Sequence, residues 1–101
     1  MDTLDLSSYG LSDSNVVEVL KYLKPLKKVK GLKLVKNQVT TEGLSRMLAF
    51  IPYVTNLNLS FNQLGEEALG LILARRKEVP LLRIINISNN RINERKAKSS
   101  L

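Results

Sequence analysis

The chain has 101 residues, of which 44% are hydrophobic and 5% aromatic, and its formal net charge is +7. This apolar content is typical of a globular domain with an aliphatic core and excludes a disordered chain. The absence of Cys and His excludes disulfide bonds, thiolate chemistry and histidine as a general base or metal ligand. Because the sequence also lacks a glycine-rich phosphate loop, we expect no enzymatic activity, no catalytic residues, no cofactor and no metal site.

Internal repeats organise the chain. Four windows of eleven residues align without gaps, begin at residues 1, 29, 54 and 82, and read MDTLDLSSYGL, VKGLKLVKNQV, VTNLNLSFNQL and LRIINISNNRI. Their shared pattern is L-x-x-L-x-L-x-x-N-x-L, in which Val, Ile or Met can replace Leu. A period of this length indicates stacked units, each of which buries its apolar face against the next unit.

Each window predicts a strand, because the apolar side chains at window positions four and six would point to the same side of a sheet. In chain order these inward pairs are Leu4 and Leu6, Leu32 and Leu34, Leu57 and Leu59, and Ile85 and Ile87. We expect neighbouring strands to pair in parallel and to form one continuous sheet.

A helix is predicted after each of the first three windows, because apolar residues recur there at three- and four-residue spacing. In chain order the three sets are Val16, Val19, Leu20 and Leu23, then Leu44, Met47, Leu48 and Ile51, then Ala68, Leu69, Ile72 and Leu73. Ser12, Asp13, Thr40 and Thr41 are candidate N-caps. The small residues Gly43 and Ala68 predict helices that pack closely on the sheet.

Asparagine occupies window position nine in three of the four windows, at the point where the chain turns away from the strand. A buried turn leaves backbone groups in need of partners, and an amide side chain can both donate and accept hydrogen bonds. Asn37, Asn62 and Asn90 are therefore predicted to stack as a structural ladder, which ends at Tyr9 in the first window.

With these windows, asparagines and intervening helices, the sequence resembles the leucine-rich repeat family, and within it the ribonuclease-inhibitor-like, intracellular subclass. The resemblance implies an α/β solenoid of about four coils, with a concave parallel sheet that binds proteins and helices on the convex side. We expect a leucine-rich-repeat domain over residues 1–95 and a polar, frayed tail over residues 96–101. Ribonuclease inhibitor itself is acidic and rich in Cys, so its target does not carry over to this basic chain.

The expected function is protein–protein interaction through the outward-facing positions of the sheet. The candidate partner-binding residues on this concave face are Lys33, Val35, Lys36, Asn56, Asn58, Phe61, Ile84, Asn86 and Asn89. Ser60 and Ser88 are also predicted to face outward. The basic charge favours an acidic protein partner. Phe61 by itself is typical of a side chain that shields the strand edge, whereas Phe61 together with Lys36 and Asn89 is a candidate for a shared interface patch.

Two other functions stay open. A basic cluster of Lys24, Lys27, Lys28 and Lys30 is compatible with RNA or another polyanion, although few aromatic residues are present for base stacking. Alternatively, the chain is an assembly segment of a larger solenoid or associates end to end. This alternative rests on the first and fourth windows, which have no polar cap before and after them, respectively. We expect an intracellular, cytoplasmic protein, with a nuclear location left open, that does not bind membranes.

Overall fold

The computed structural model describes residues 3–23, 27–91 and 98–100. In this part of the chain, short strands alternate with helices. The strands are β1 (Thr3–Asp5), β2 (Gly31–Lys33), β3 (Asn56–Asn58), β4 (Ile84–Asn86) and β5 (Lys98–Ser100). The α-helices are α1 (Asp13–Leu23), α2 (Thr41–Met47) and α3 (Ala68–Ala74), and 3₁₀ turns at Leu48–Phe50 and Arg76–Glu78 follow α2 and α3.

The first four strands form a parallel sheet in chain order. Window position four is in register across all of them, so that Leu4 pairs with Leu32, Leu32 with Leu57, and Leu57 with Ile85. The α/β class and the parallel sheet predicted from the windows are therefore confirmed. The amino-terminal ends of these four strands lie along one end of the sheet, which we call the amino edge. Their carboxyl-terminal ends lie along the opposite end, which we call the carboxyl edge.

The structure describes three residues of the segment expected to be a frayed tail. Residues Lys98–Ser100 form β5, which pairs antiparallel with β4 so that Ser100 lies opposite Ile84 and Lys98 opposite Asn86. Backbone hydrogen bonding to the open side of β4 offsets the loss of chain freedom that a frayed tail would retain. The expected domain boundary near residue 95 falls outside the described residues.

The core lies between the sheet and the helices. Window positions four and six of the second, third and fourth units are almost fully buried, at Leu32, Leu34, Leu57, Leu59, Ile85 and Ile87. They pack against helix residues that include Leu20, Leu44, Met47, Leu48 and Ile72. Leu4 and Leu6 are only partly buried, because β1 is at the edge of the sheet and has a neighbour on one side only.

Side-chain caps begin the first two helices. The Ser12 hydroxyl accepts from the Asn15 backbone N–H at 3.4 Å, and Asn15 Oδ1 accepts from the Ser12 N–H at 3.2 Å. This reciprocal pair is a capping box in which Asn takes the place of Glu. Thr40 caps α2 by accepting from the Gly43 N–H at 3.4 Å, whereas Thr41 Oγ1 accepts from the Gly65 N–H in the next unit at 2.8 Å.

Two details of the helices differ from the sequence pattern. Leu73 is 45% exposed. It lies in the last turn of α3, a helix of only seven residues, where its side chain points away from the core. Gly43 is buried, but its close neighbour is the Asp13 carboxylate of the preceding unit and not the sheet. Among the described residues, the longest helix has 11 residues, and none is long and apolar enough to cross a bilayer.

Candidate functional site

The outer face of the sheet contains a shallow depression. Its volume is about 260 Å³, and it is lined by Thr3, Gly31, Leu32, Lys33, Asn56, Leu57, Asn58, Ile84 and Asn86. Apart from the two leucines, these are window positions three and five, which alternate with the buried positions four and six along each strand. Five residues predicted to bind a partner therefore lie together here, namely Lys33, Asn56, Asn58, Ile84 and Asn86.

Apolar surface on this face is concentrated at Ile84. Its side chain is 50% exposed, whereas in β2 the equivalent position is Gly31, which is buried against Thr3. A Cβ atom at Gly31 would lie 2.7 Å from Thr3 Oγ1. At this position, no side chain projects from β2, whereas an apolar side chain projects from β4.

The asparagines at window position nine connect adjacent units. Asn62 Nδ2 donates to the Leu34 carbonyl at 2.8 Å and to the Leu59 carbonyl at 3.0 Å, and its Oδ1 accepts from the Val39 N–H at 2.9 Å. Asn37 makes the equivalent bonds toward the first unit, and Asn90 toward the third. Each amide thus supplies partners to backbone groups of two consecutive turns, which is the arrangement expected for a structural ladder.

Asn58 and Asn86 also have a structural partner. Their Oδ1 atoms accept from the backbone N–H groups of Ser60 and Ser88, both at 3.0 Å. The same bond joins the Ser7 N–H to Asp5 Oδ1 at 3.0 Å. Three of the four residues at window position five therefore terminate their strands with an Asx-type turn, a role that does not depend on a partner.

The second unit replaces this turn by a contact between units. Lys33 has no hydrogen-bond acceptor, so it cannot bind the Val35 N–H in the way that Asn58 binds the Ser60 N–H. Instead, the Val35 N–H donates to Ser7 Oγ of the first unit at 3.1 Å. Hydrogen bonds from Ser7 lower the pKa of the Asp5 carboxyl, and the positive charge of Lys33 lowers it further. Lys33 is consequently exposed and free of the strand-ending role.

Each window has a left-handed residue at position eight. The backbone φ angles are 64° at Ser8, 58° at Lys36, 58° at Phe61 and 56° at Asn89. Only Asn among these residues commonly adopts this conformation. Sequence reasoning placed Lys36, Phe61 and Asn89 on the face but missed this turn, for which Asn89 was the single signal.

Phe61 and Lys36 form a pair at the carboxyl edge of the face. The Phe61 side chain is 50% exposed, and Lys36 Nζ lies 5.7 Å from the centre of its ring. At this distance the ammonium group is attracted to the face of the aromatic ring. Lys36 and Phe61, two of the three residues of the candidate patch, therefore contact each other.

The serines at window position seven do not face outward. Ser60 is 7% and Ser88 is 8% exposed, because the chain has begun to turn after β3 and β4 and no longer alternates as a strand does. The expectation that they would line the outer face was wrong. Val35, at the same window position in the second unit, is half-buried.

The basic cluster is at the amino edge, and none of its residues lines the depression. Lys27 and Lys28 are exposed, and the ammonium groups of Lys27 and Lys30 lie 5.7 Å and 5.8 Å from the centre of the Tyr53 ring. Lys24, which the sequence grouped with them, lies outside the described residues.

Among residues 3–23 and 27–91, no group of three or more Asp, Glu, His or Cys side chains is arranged to hold a metal ion. The residues on the outer face offer amide and ammonium groups together with two exposed apolar side chains, which suits recognition of a surface. The chain matches neither a model of a known protein family nor a curated protein.

Proposed function

We propose that the chain is a leucine-rich-repeat solenoid of the ribonuclease-inhibitor-like type, and that it binds another protein through the outer face of its sheet without catalysing a reaction. The solenoid assignment is supported by four windows whose strands pair in parallel and in register. It is also supported by the asparagine amides that link successive turns.

The exposure of the Phe61 side chain carries the functional proposal. A bulky residue with φ of 58° is strained, since the left-handed conformation costs a non-glycine residue about 1–2 kcal/mol. The strain is not offset by burial, because half of the side chain faces solvent. The same left-handed turn occurs at position eight of every window and therefore belongs to the repeat. What distinguishes Phe61 is its side chain, since an exposed aromatic residue among polar neighbours is typical of an interface anchor.

The partner is an acidic polypeptide segment that also contains apolar side chains. Lys33 and Lys36 are the charged groups of this face in β2 and its turn, and the nearest described acid, Asp5, is engaged by Ser7. Phe61 and Ile84 provide apolar contacts near opposite ends of the face. Asn58 and Asn86 contribute their outward amide groups while their Oδ1 atoms hold the strand ends.

The experiment is a capture of partners from lysate at moderate salt, followed by a binding titration with each captured protein. We expect the Phe61→Asn variant to bind at least about tenfold more weakly, as loss of an interface anchor predicts. Charge reversal at Lys33 and Lys36 should weaken binding and slow association. The matched control is Tyr22→Ala, which removes a more exposed aromatic side chain from α1 and should leave affinity unchanged.

Equal affinity of the wild type and the Phe61→Asn variant for every captured protein would contradict the proposed site. Loss of the same affinity in the Tyr22→Ala variant would also contradict it, because the contact would then involve the helical side of the molecule.

A further inference from the structure

Charge is sorted between the two edges of the sheet. Each helix returns antiparallel to its strand, so helices begin at the carboxyl edge and end toward the amino edge. Around the carboxyl edge lie Asp5, Asp13, Glu42, Glu66 and Glu67, whereas the segments that lead to the amino edge contain Lys27, Lys28, Lys30, Arg76, Lys77 and Arg83. The separation is incomplete, since Lys36 and Arg91 lie at the carboxyl edge and Glu78 follows Lys77. Residues 27–30 and Arg83 nevertheless supply only positive charges to the amino edge.

The amino edge is continuous from one unit to the next. The Lys30 carbonyl accepts from the Thr55 N–H at 2.7 Å, and the Thr55 carbonyl accepts from the Arg83 N–H at 2.8 Å. These three residues lie at the same position before β2, β3 and β4. Because neighbouring strands are about 4.8 Å apart, the backbones of Lys30 and Arg83 are separated by about 10 Å.

Tyr53 connects the lysines of this edge. The ammonium groups of Lys27 and Lys30 approach the same ring to within 5.8 Å, which brings two like charges close together. The ion pairs described for the chain are Lys21 with Glu18 and Arg75 with Glu78. Neither includes Lys27, Lys30 or Arg83, so these cations have no carboxylate partner among the described residues.

We propose that the amino edge binds single-stranded nucleic acid through its phosphate backbone. Lys27, Lys30 and Arg83 contact phosphates, and the Tyr53 ring provides an aromatic surface on which a base stacks. Cations without a carboxylate partner, two of them beside an aromatic ring, are the combination that sequence-independent single-strand binders use. An acidic polypeptide would pair with the cations but would make no use of the ring. This surface borders the outer face proposed to bind protein, since Lys30 and Arg83 directly precede Gly31 and Ile84, but it shares none of the residues proposed for that face.

The test uses the full chain and a fluorescent mixed-sequence RNA of about 20 nucleotides, with affinity measured by fluorescence anisotropy at several salt concentrations. The Lys27→Gln/Lys30→Gln variant should bind about tenfold more weakly at low salt. Its plot of log affinity against log salt concentration should be shallower by about 1.4, since each phosphate contact on a single strand contributes about 0.7.

The matched control is Lys33→Gln/Lys36→Gln, which removes the same two charges from the outer face and should retain wild-type RNA affinity and salt dependence. Tyr53→Leu should weaken RNA binding by about fivefold or more, which corresponds to the loss of one stacked base. Thermal melts of all variants establish that they are folded.

Three results would overturn the proposal. Equal losses in the two double variants would mean that only net charge matters. Equal affinity for poly-glutamate of matched length would assign the edge to acidic polypeptides. Unchanged RNA affinity of the Lys27→Gln/Lys30→Gln variant would remove the amino edge from any role in binding. None of these results depends on whether the outer face binds protein.

Discussion

The carboxylate of Asp13 occupies the space that a side chain at Gly43 would need. Asp13 reaches this position by accepting two hydrogen bonds from Thr40, from the backbone N–H at 2.8 Å and from the hydroxyl at 2.6 Å. Thr40 in turn caps the helix in which Gly43 lies. These hydrogen bonds join the start of α1 to the start of α2, and the close contact with Asp13 requires glycine at position 43.

We expect Gly43→Ala to lower the free energy of unfolding, because the new methyl group overlaps the Asp13 carboxylate and breaks its bonds to Thr40. Gly70 supplies the matched control, since it lies in α3 with no atom within 4 Å of an added Cβ. Gly70→Ala should raise the free energy of unfolding by about 0.5–1 kcal/mol. Urea denaturation measures both, and stabilisation by both substitutions would contradict the Asp13 contact.

Asn62→Ala should destabilise the fold more than Asn58→Ala. The first substitution leaves the Val39 N–H without its partner and removes one of the two amide bonds to each of the Leu34 and Leu59 carbonyls, which keep their bonds from Asn37 and Asn90. We expect a cost of about 1–3 kcal/mol. The second removes one bond from the Ser60 N–H and should cost about 0.5–1.5 kcal/mol. Denaturant midpoints distinguish the two, and equal costs would argue against the ladder.

Phe61→Asn should stabilise the protein while it weakens partner binding. Asn tolerates the left-handed backbone at this position, so the free energy of unfolding should rise by up to about 1 kcal/mol. Loss of the contact with Lys36 at 5.7 Å offsets part of this gain. Differential scanning calorimetry provides the measurement, with Tyr22→Ala as the variant that leaves the turn intact. A clear fall in stability would mean that the Phe61 ring supports the fold.

Core substitutions test the burial pattern. Leu57 is 2% exposed between β2 and β4, and Leu57→Ala should cost about 2–5 kcal/mol, a large part of the stability of a small domain. Leu73→Ala in α3 should have little effect, because this side chain is 45% exposed. Equilibrium unfolding of the two variants provides the comparison. Comparable losses would indicate that α3 is rotated from its position here.

The contact of Arg75 with Glu78 makes stability depend on pH. Arg75 donates to both carboxylate oxygens, at 2.6 Å and 2.8 Å, and these bonds lower the pKa of Glu78. A lowered folded-state pKa means that the contribution is complete above the ordinary glutamate value of about 4.3 and is lost as the pH falls below it. The Glu78 carboxylate is exposed, so the effect should be small and salt-sensitive.

Thermal midpoints of the wild type and Glu78→Gln, measured between neutral pH and about pH 3, check this expectation. The difference between the two proteins should shrink as the pH falls. Arg75 keeps its bonds to Ser45 Oγ at 2.6 Å and to the Ser45 carbonyl at 2.7 Å in both proteins, so the link between α3 and α2 remains. A difference that is constant with pH would exclude the ion pair as its origin.

The parallel register of β1 to β4 could be predicted because the four windows align without gaps. In a stacked sheet a shift of one residue would turn Leu57 and Leu59 outward, so the apolar pattern and the register depend on each other. The same alignment identified the positions of Asn37, Asn62 and Asn90. The outer face followed directly, since positions three and five must oppose the buried positions.

The role of the residues on that face could not be predicted as well. Nothing in the sequence indicates that Asn58 accepts a bond from Ser60, or that Ser7 replaces this bond for Val35 in the next unit. The prediction that Leu73 belongs to the apolar face of its helix was also wrong, because helical spacing alone does not specify where α3 ends. These features depend on side chains of two units that meet only after the chain has folded.

The sequence by itself determined the α/β class, the order and direction of the four parallel strands, and the strand residues that form the core. Burial of alternate aliphatic side chains is a local pattern repeated in each window, and its energetic gain does not depend on details of the partner unit. Only the tertiary structure decided the contact of Asp13 with Gly43, the pairing of Lys36 with Phe61, and the grouping of Lys27 and Lys30 around Tyr53. The physical reason is that hydrogen bonds and ring contacts act over a few ångströms between residues distant in the chain, and their geometry is set by how adjacent units stack.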